Sequence, residues 1–205
     1  MTDRIPILFD RALRPEWLDY ALEQSVQCAD PVRQRQALRA YLEPRIKGKE
    51  ALDKTITQLQ RVVGPRSPLP QEHRQALYEA MGRLSPDERT PLRLQLLLSA
   101  SPFFADCVAG IRKMSLLGAH GITVGQLNER LVAKYGDRAI VPRSTHHVLQ
   151  TLALLGALTN KDRRWSATSV LESATHDWRD GRNETIGQSR AHRGGHLTLR
   201  RPIMP

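Results

Sequence analysis

Apolar residues recur at helical spacing through the first hundred positions. The clearest run is Leu52, Ile56, Leu59 and Val63, spaced four, three and four residues apart. This spacing places all four on one face of a helix. Five segments of this kind are separated by proline, glycine and polar residues, and none of them alternates as a strand does. The pattern predicts an N-terminal helical bundle over residues 1–100, without a sheet.

Local signals place the ends of these helices. Pro15 and Pro31 suit a first helical turn, and Asp30 is a favourable N-cap. Gly48 precedes the third helix. Residues 85–88, Ser-Pro-Asp-Glu, predict the start of a fifth helix. Its continuation is apolar almost all round, so we expect burial in the middle of the molecule.

The pattern changes after residue 101. One helix face carries Phe104, Cys107 and Ile111, and Thr123 with Gln126 forms a capping box at the start of the next helix. Residues 139–141 are expected to be extended, because the residue before a proline disfavours the helical region. A third helix is predicted over 142–155, followed by a hairpin over 158–165 with its turn at residues 160–162. This order predicts a winged helix-turn-helix-like domain over 101–168.

The last part of the chain, residues 169–205, has little to pack. A short helix is predicted from Val170 to about Trp178, and residues 181–205 form a basic tail that we expect to be poorly ordered. Leu197, Leu199 and Ile203 alternate, so pairing with a partner strand stays an alternative for this tail.

Charge narrows the choice of partner. The 205 residues include 31 Lys and Arg against 21 Asp and Glu, a net charge of +10. Residues 1–100 contribute +3 and residues 101–205 contribute +7, which favours a polyanion as partner. No segment has the ~20 apolar residues of a membrane span, and the first residues do not resemble a signal peptide. We therefore expect a cytoplasmic protein with no membrane partner, in which Cys28 and Cys107 are buried free thiols.

The predicted 142–155 helix carries the candidate base-reading groups. With Val148 facing inward, Arg143, His146 and Gln150 fall on the opposite face, and His147 lies beside them. Arginine can bond guanine and glutamine can bond adenine in the major groove of DNA. A solvated polar face is the competing interpretation, since every surface helix has one.

Phosphate contacts are expected around this helix. Ser144 and Thr145 lie nearer the inner face, and we expect them to contact phosphate at the start of the helix, where free N–H groups favour anions. Lys161, Arg163 and Arg164 lie at the predicted wing, where cations give affinity without sequence choice. Two further cations could extend the surface, Arg130 and Arg138.

Catalytic motifs are missing from the sequence. It contains no Gly-rich phosphate loop, no HExxH and no Gly-x-Ser-x-Gly. His192 and His196 have the spacing of metal ligands on a helix, but no third ligand accompanies them. We therefore expect no enzyme activity, no cofactor and no metal.

Several short blocks together resemble the BrxA-like family of the BREX bacteriophage-exclusion systems. The matching stretches are ALRPEW (12–17), ALDKTITQL (51–59), ASPFFAD (100–106), KYGDR (134–138), VLQTL (148–152) and LGAL (155–158). The resemblance covers about residues 12–165, and some aromatic positions near the Pro-Phe-Phe block are Leu and Ser here.

The resemblance implies a small, helical, non-catalytic DNA-binding protein with a NusB-like N-terminal bundle. It also implies a role in phage defence beside other defence-system proteins. Two alternatives stay open: a helical protein–protein adaptor within a defence complex, and an RNA-binding factor that uses the N-terminal bundle. The sequence indicates neither the oligomeric state nor a DNA target site.

Overall fold

The computed structural model describes residue 7, residues 9–119 and residues 121–174. Helices dominate the described residues, and one two-stranded antiparallel hairpin follows them, so the expected mainly helical fold class with a small β-hairpin is confirmed. A further helical stretch covers residues 169–174. The elements are α1 (Pro15–Gln27), α2 (Pro31–Leu42), α3 (Lys49–Val62), α4 (Gln71–Gly82), α5 (Thr90–Ala100), α6 (Pro102–Leu116), α7 (Val124–Tyr135), α8 (Ile140–Leu154), β1 (Leu158–Lys161) and β2 (Arg164–Ala167).

The helix starts of the N-terminal half follow from local chemistry. The Asp30 carboxylate accepts the Val32 N–H at 2.8 Å, and Pro31 occupies the first turn of α2. Gly48 caps α3 with a φ of 91°, in the left-handed region that favours glycine. No strand occurs in residue 7 or residues 9–100, which confirms the helical prediction for that part.

The fifth helix begins later than expected. Residues 85–88 form a turn, because the Glu88 carboxylate accepts from both the N–H of Ser85, at 2.9 Å, and its hydroxyl, at 2.7 Å. Helix α5 starts at Thr90 instead. Its leucines are buried as predicted, Leu94 and Leu97 completely.

A buried ion pair in the N-terminal half was not predicted. Arg93 on α5 donates from Nε and Nη2 to the two carboxylate oxygens of Asp19 on α1, both at 2.7 Å. Its third group, Nη1, donates to the Pro86 carbonyl at 2.8 Å. Only 5% of Arg93 is exposed, so the pair joins α1 to α5 inside the bundle. Periodicity alone gives no sign of it, because arginine is normally assigned to the surface.

The residues before α1 form an N-terminal strap, residue 7 and residues 9–14, that joins the two halves. The Phe9 ring lies 5.3 Å from the Phe104 ring on α6. The Leu13 N–H donates to Thr151 Oγ1 on α8 at 3.0 Å. Buried residues of both halves form one continuous cluster. The division at residue 100 and the likeness to NusB stay predictions.

The C-terminal half has the element order of a winged helix-turn-helix. After α6, Ile122 pairs with Trp165 through N–H to carbonyl bonds of 2.8 and 2.9 Å, and α7, α8 and the hairpin follow. The strand expected at 139–141 is wrong, because α8 already begins at Ile140. Pro142 is the third residue of α8, where the missing N–H has no intrahelical acceptor to lose. The extended pairing outside the hairpin is made by Ile122 instead, which forms a bridge with Trp165 in the described residues.

The hairpin turn lies further along the chain than predicted. Strand pairing places Asn160 opposite Trp165 and Lys161 opposite Arg164. The two-residue loop is therefore Asp162 and Arg163, with φ values of 51° and 62°. Positive φ at both loop residues is the signature of a type I′ turn, whose twist matches paired strands. Leu158 and Trp165 are buried against the helices as expected.

The described residues also test three smaller predictions. Both halves of the Thr123–Gln126 capping box are present. Both cysteines are free, but only Cys107 is buried, and Cys28 is partly exposed. No single described helix is long and apolar enough to cross a membrane, and only the pair α5 and α6, bent by 118°, passes that test. Residues 175–205, including the whole of the predicted basic tail at 181–205, lie outside the described residues.

Candidate nucleic-acid interface

Helix α8 presents the predicted face to solvent. Val148 is completely buried. On the other side Arg143 and His146 are exposed, and Gln150 is partly exposed. The three side chains lie at i, i+3 and i+7, so one edge of the helix presents a guanidinium, an imidazole and an amide. These groups supply donors and acceptors of the kind that base edges accept.

Ser144 and Thr145 do not belong to this face. Both are 0% exposed. The Thr145 hydroxyl donates to the Val141 carbonyl at 2.8 Å within α8, and no described residue pairs with Ser144 Oγ. The expectation that their side chains contact phosphate is therefore wrong. Helix α8 is covered on several sides, so small polar residues near its start face inward.

His147 faces the N-terminal strap. It is half-buried, and no described residue pairs with its Nδ1. Burial is the largest cause that lowers its pKa, and the positive charges of Arg11 and His146 lower it further. The Gln150 amide and the Asp10 carboxylate act in the opposite direction. The imidazole therefore stays neutral to a lower pH than an exposed histidine, and His147 is a poor phosphate ligand near pH 6.5.

The wing carries its cations at the tip. Lys161, Arg163 and Arg164 are all exposed. The Arg164 guanidinium donates to the Gly121 carbonyl at 3.4 Å, and no described carboxylate forms an ion pair with any of the three. Asp162 shares the tip, so the hairpin has a net charge of +2. The exposed end of the hairpin therefore carries a net positive charge.

Gly121 packs closely against Arg164 at the base of the wing. Gly121 has a φ of +89°, and a Cβ there would lie 3.0 Å from Arg164 Cβ. Only glycine combines this backbone conformation with such a contact. The pairing of Ile122 with Trp165 immediately follows, so the segment before α7 and the wing are built as one unit.

Cations outside the wing contribute unequally. Arg130 on α7 is exposed and Arg138 is half-buried. Lys134, between them, forms an ion pair with Asp106 at 2.7 Å. Tyr135 donates to the same carboxylate, and burial together with Asp106 raises the pKa of Tyr135. The side of α7 nearest α6 is therefore already neutralised.

A second basic surface was missed because charge was summed over a hundred residues. Residues 31–66, which include α2 and α3, hold nine Lys and Arg against three Asp and Glu, a net charge of +6. Arg35 and Arg39 share the carboxylate of Asp53, and both are more than one third exposed. Lys47 and Lys49 lie exposed at the start of α3. A count over single helix pairs would have revealed this surface.

The described residues contain no cluster of three His, Cys, Asp or Glu side chains able to hold a metal ion. His192 and His196 lie outside the described residues. Cys107 is buried, and burial raises the pKa of its thiol. No protein-family model and no curated protein matches the sequence. The function is therefore inferred from the chemistry of α8, the wing and the α2–α3 surface.

Proposed function

We propose that this chain is a non-catalytic accessory protein that binds double-stranded DNA through the winged helix-turn-helix half. The observation that supports this most is the wing: three exposed cations without a carboxylate partner beside the exposed edge of α8. In this fold class the last helix enters the major groove and the wing reaches the flanking backbone. Charge and topology therefore favour the same ligand.

The two parts of the surface have different roles in this proposal. Arg143 and Gln150 read base edges. Lys161, Arg163 and Arg164 neutralise phosphates and give affinity for any sequence. Changing Arg143 and Gln150 to Ala therefore flattens whatever sequence preference exists, and changing the wing weakens all duplexes alike. Competition between duplexes of different sequence separates these two outcomes.

We place this activity in a cytoplasmic phage-defence complex. The support is the resemblance of the blocks at 51–59, 100–106 and 134–138 to the BrxA-like family. Other defence-system proteins are then the natural protein partners. Co-expression of the chain with its genomic neighbours, followed by purification, tests this part separately from DNA binding.

A second candidate function is RNA binding by the N-terminal half, and it is favoured by the +6 charge of residues 31–66. A protein–protein adaptor is the third candidate. Leu116 and Leu117, 81% and 74% exposed at the end of α6, favour that one. Each candidate uses a different surface, so one set of variants distinguishes them.

The decisive experiment compares two charge-matched triple variants of the full chain by fluorescence anisotropy with a labelled duplex. One changes the three wing cations to Ala, and the other changes three exposed cations of the N-terminal half: Lys47, Lys49 and Arg66. The proposal predicts that only the wing variant loses affinity, by roughly 500-fold at ~0.1 M salt for three phosphate contacts.

Other results of the same experiment favour the RNA-binding or the adaptor candidate. Loss of affinity only in the N-terminal variant, together with stronger competition by RNA than by duplex DNA, favours the RNA-binding candidate. Unchanged affinity in both variants, or no binding at ~50 mM salt, favours the adaptor. All six changed side chains are exposed, so we expect each variant to fold. Thermal melting of each variant checks this.

A further inference from the structure

A cavity of about 450 Å³ lies where the two halves meet, away from α8 and the wing. It is bounded by the C-terminal end of α3, the loop that follows it, and the corner where α5 turns into α6 at 118°. Its volume is within the range of sites that hold small organic molecules. The lining residues are Gln58, Arg61, Val62, Pro65, Arg66, Ser67, Pro68, Ala100, Ser101, Pro102 and Phe103.

Most of the wall is apolar. Val62 and Phe103 are buried at 1% exposure each, and Pro65, Pro68 and Pro102 supply rigid ring surfaces. Such a wall favours a flat or bulky hydrocarbon group, which gains from leaving water. The prolines also restrict the backbone, so the loop that forms one side of the cavity is largely preformed.

The polar side chains at the cavity include hydrogen-bond donors. Gln58 is 1% exposed, and its Oε1 accepts the Asp10 N–H at 3.4 Å. The Ser101 Oγ accepts the Phe104 N–H at 3.2 Å, which leaves the hydroxyl hydrogen available. The Gln58 amide and the Ser101 hydroxyl both line the cavity, so a ligand acceptor can pair with them.

Charge at the cavity has one sign. Arg61 is partly exposed and Arg66 is exposed, and neither has a described hydrogen-bond or ion-pair partner. No Asp or Glu is among the lining residues. Two guanidinium groups beside an apolar cavity complement a carboxylate or a phosphate attached to a hydrocarbon body.

We propose that this cavity binds a small organic anion with an aromatic body, typically an aryl carboxylate or aryl phosphate. The ring system contacts Val62, Pro68 and Phe103, and the anionic group pairs with Arg61 and Arg66. The Gln58 amide donates to an acceptor on the ligand. This site is independent of the proposed DNA interface, since no lining residue belongs to α8 or the wing.

The test uses 2-naphthoate as the probe and 2-naphthylmethanol as its neutral analogue. The full-length protein is labelled at valine and alanine methyl groups, and both compounds are titrated while methyl spectra are recorded. We expect saturable shifts of the Val62 and Ala100 methyls and at least a tenfold tighter Kd for the anion. Changing Arg61 and Arg66 together to Gln removes that tenfold advantage.

Arg83→Gln is the matched control, since Arg83 is exposed and does not line the cavity. It leaves both Kd values unchanged. Equal Kd values for the two compounds overturn the proposal, as do shifts that exclude Val62 and Ala100. A Kd for 2-naphthoate that is unaffected in the double arginine variant also overturns it. Neither arginine is buried, and thermal melting of the double variant checks that it is folded.

Discussion

Replacement of Arg163 at the wing tip separates backbone strain from charge. Arg163 has a φ of 62° in a type I′ turn, a conformation that disfavours residues with a Cβ. The left-handed conformation costs about 1–2 kcal/mol for such a residue. Glycine relieves this cost but adds roughly 0.5–1 kcal/mol of unfolded-state entropy. Arg163→Gly therefore stabilises the protein by about 0.5–1 kcal/mol.

The same change removes one cation from the proposed DNA contact. One phosphate contact contributes ~0.9 to the slope of log K against log salt, which is roughly eightfold in affinity at ~0.1 M salt. Arg163→Gly therefore yields a protein that is more stable and binds duplex DNA more weakly. Such an opposition is expected where a strained residue is kept for its side chain.

Arg163→Ala is the matched control, because it removes the charge but keeps a Cβ at positive φ. We expect both variants to lose the same affinity, whereas only the glycine variant gains roughly 1–4 °C in Tm. Fluorescence anisotropy measures the affinity, and thermal denaturation measures the Tm. Equal stability of the two variants refutes the strain argument, and unchanged DNA affinity in both refutes the contact.

Three further predictions concern the framework. Asp19→Asn leaves Arg93 buried without its anion and lowers the free energy of unfolding by about 3 kcal/mol or more, measured by urea denaturation. The double variant Asp19→Leu with Arg93→Met recovers most of that loss. A single variant as stable as wild type contradicts the buried pair. The pKa of His147 is lowered in the folded state, so its neutral form stabilises the protein fully above about pH 6.5. This stabilisation is lost progressively as the pH falls below that value. His147→Gln therefore reduces the loss of stability between about pH 7.5 and pH 5.5. An unchanged pH profile opposes that assignment. Gly121→Ala lowers stability by at least about 1 kcal/mol in thermal unfolding, because the new Cβ sits at a positive φ and 3.0 Å from Arg164 Cβ. A neutral effect would show that the base of the wing tolerates a Cβ.

Most of the helices were predictable because they have one dominant apolar face. Helix α5, which is apolar almost all round, was predicted too, but it begins later than its start signal indicated. Asp30 with Pro31 and Thr123 with Gln126 act within a few residues of chain, so the sequence alone specifies them. The hairpin was also predictable from a local pattern, but its turn was predicted too early in the chain. Asn160 looks more suited to a turn than Arg163, and strand pairing with Trp165 decides the register instead.

The unpredicted features depend on contacts between residues far apart in the chain. The Leu13 N–H reaches Thr151 across 138 residues, so the N-terminal strap is tied to α8 through a contact that no local pattern indicates. The sequence places Ser144 and Thr145 near the inner face of their helix, but it does not show that both side chains are fully buried. The exposed positions of Arg143 and His146 were predictable, since they lie opposite Val148 whatever packs around them.

The salt dependence of duplex DNA binding tests the central claim most directly. Five cations outside the base-reading edge, Arg130, Arg138, Lys161, Arg163 and Arg164, supply up to about five phosphate contacts, for which the slope of log K against log salt is about −4.5. Replacing the three wing cations with Ala reduces the magnitude of that slope by about 2.7. Binding with a slope near zero, or a wing variant whose slope equals that of the wild type, contradicts the proposed interface.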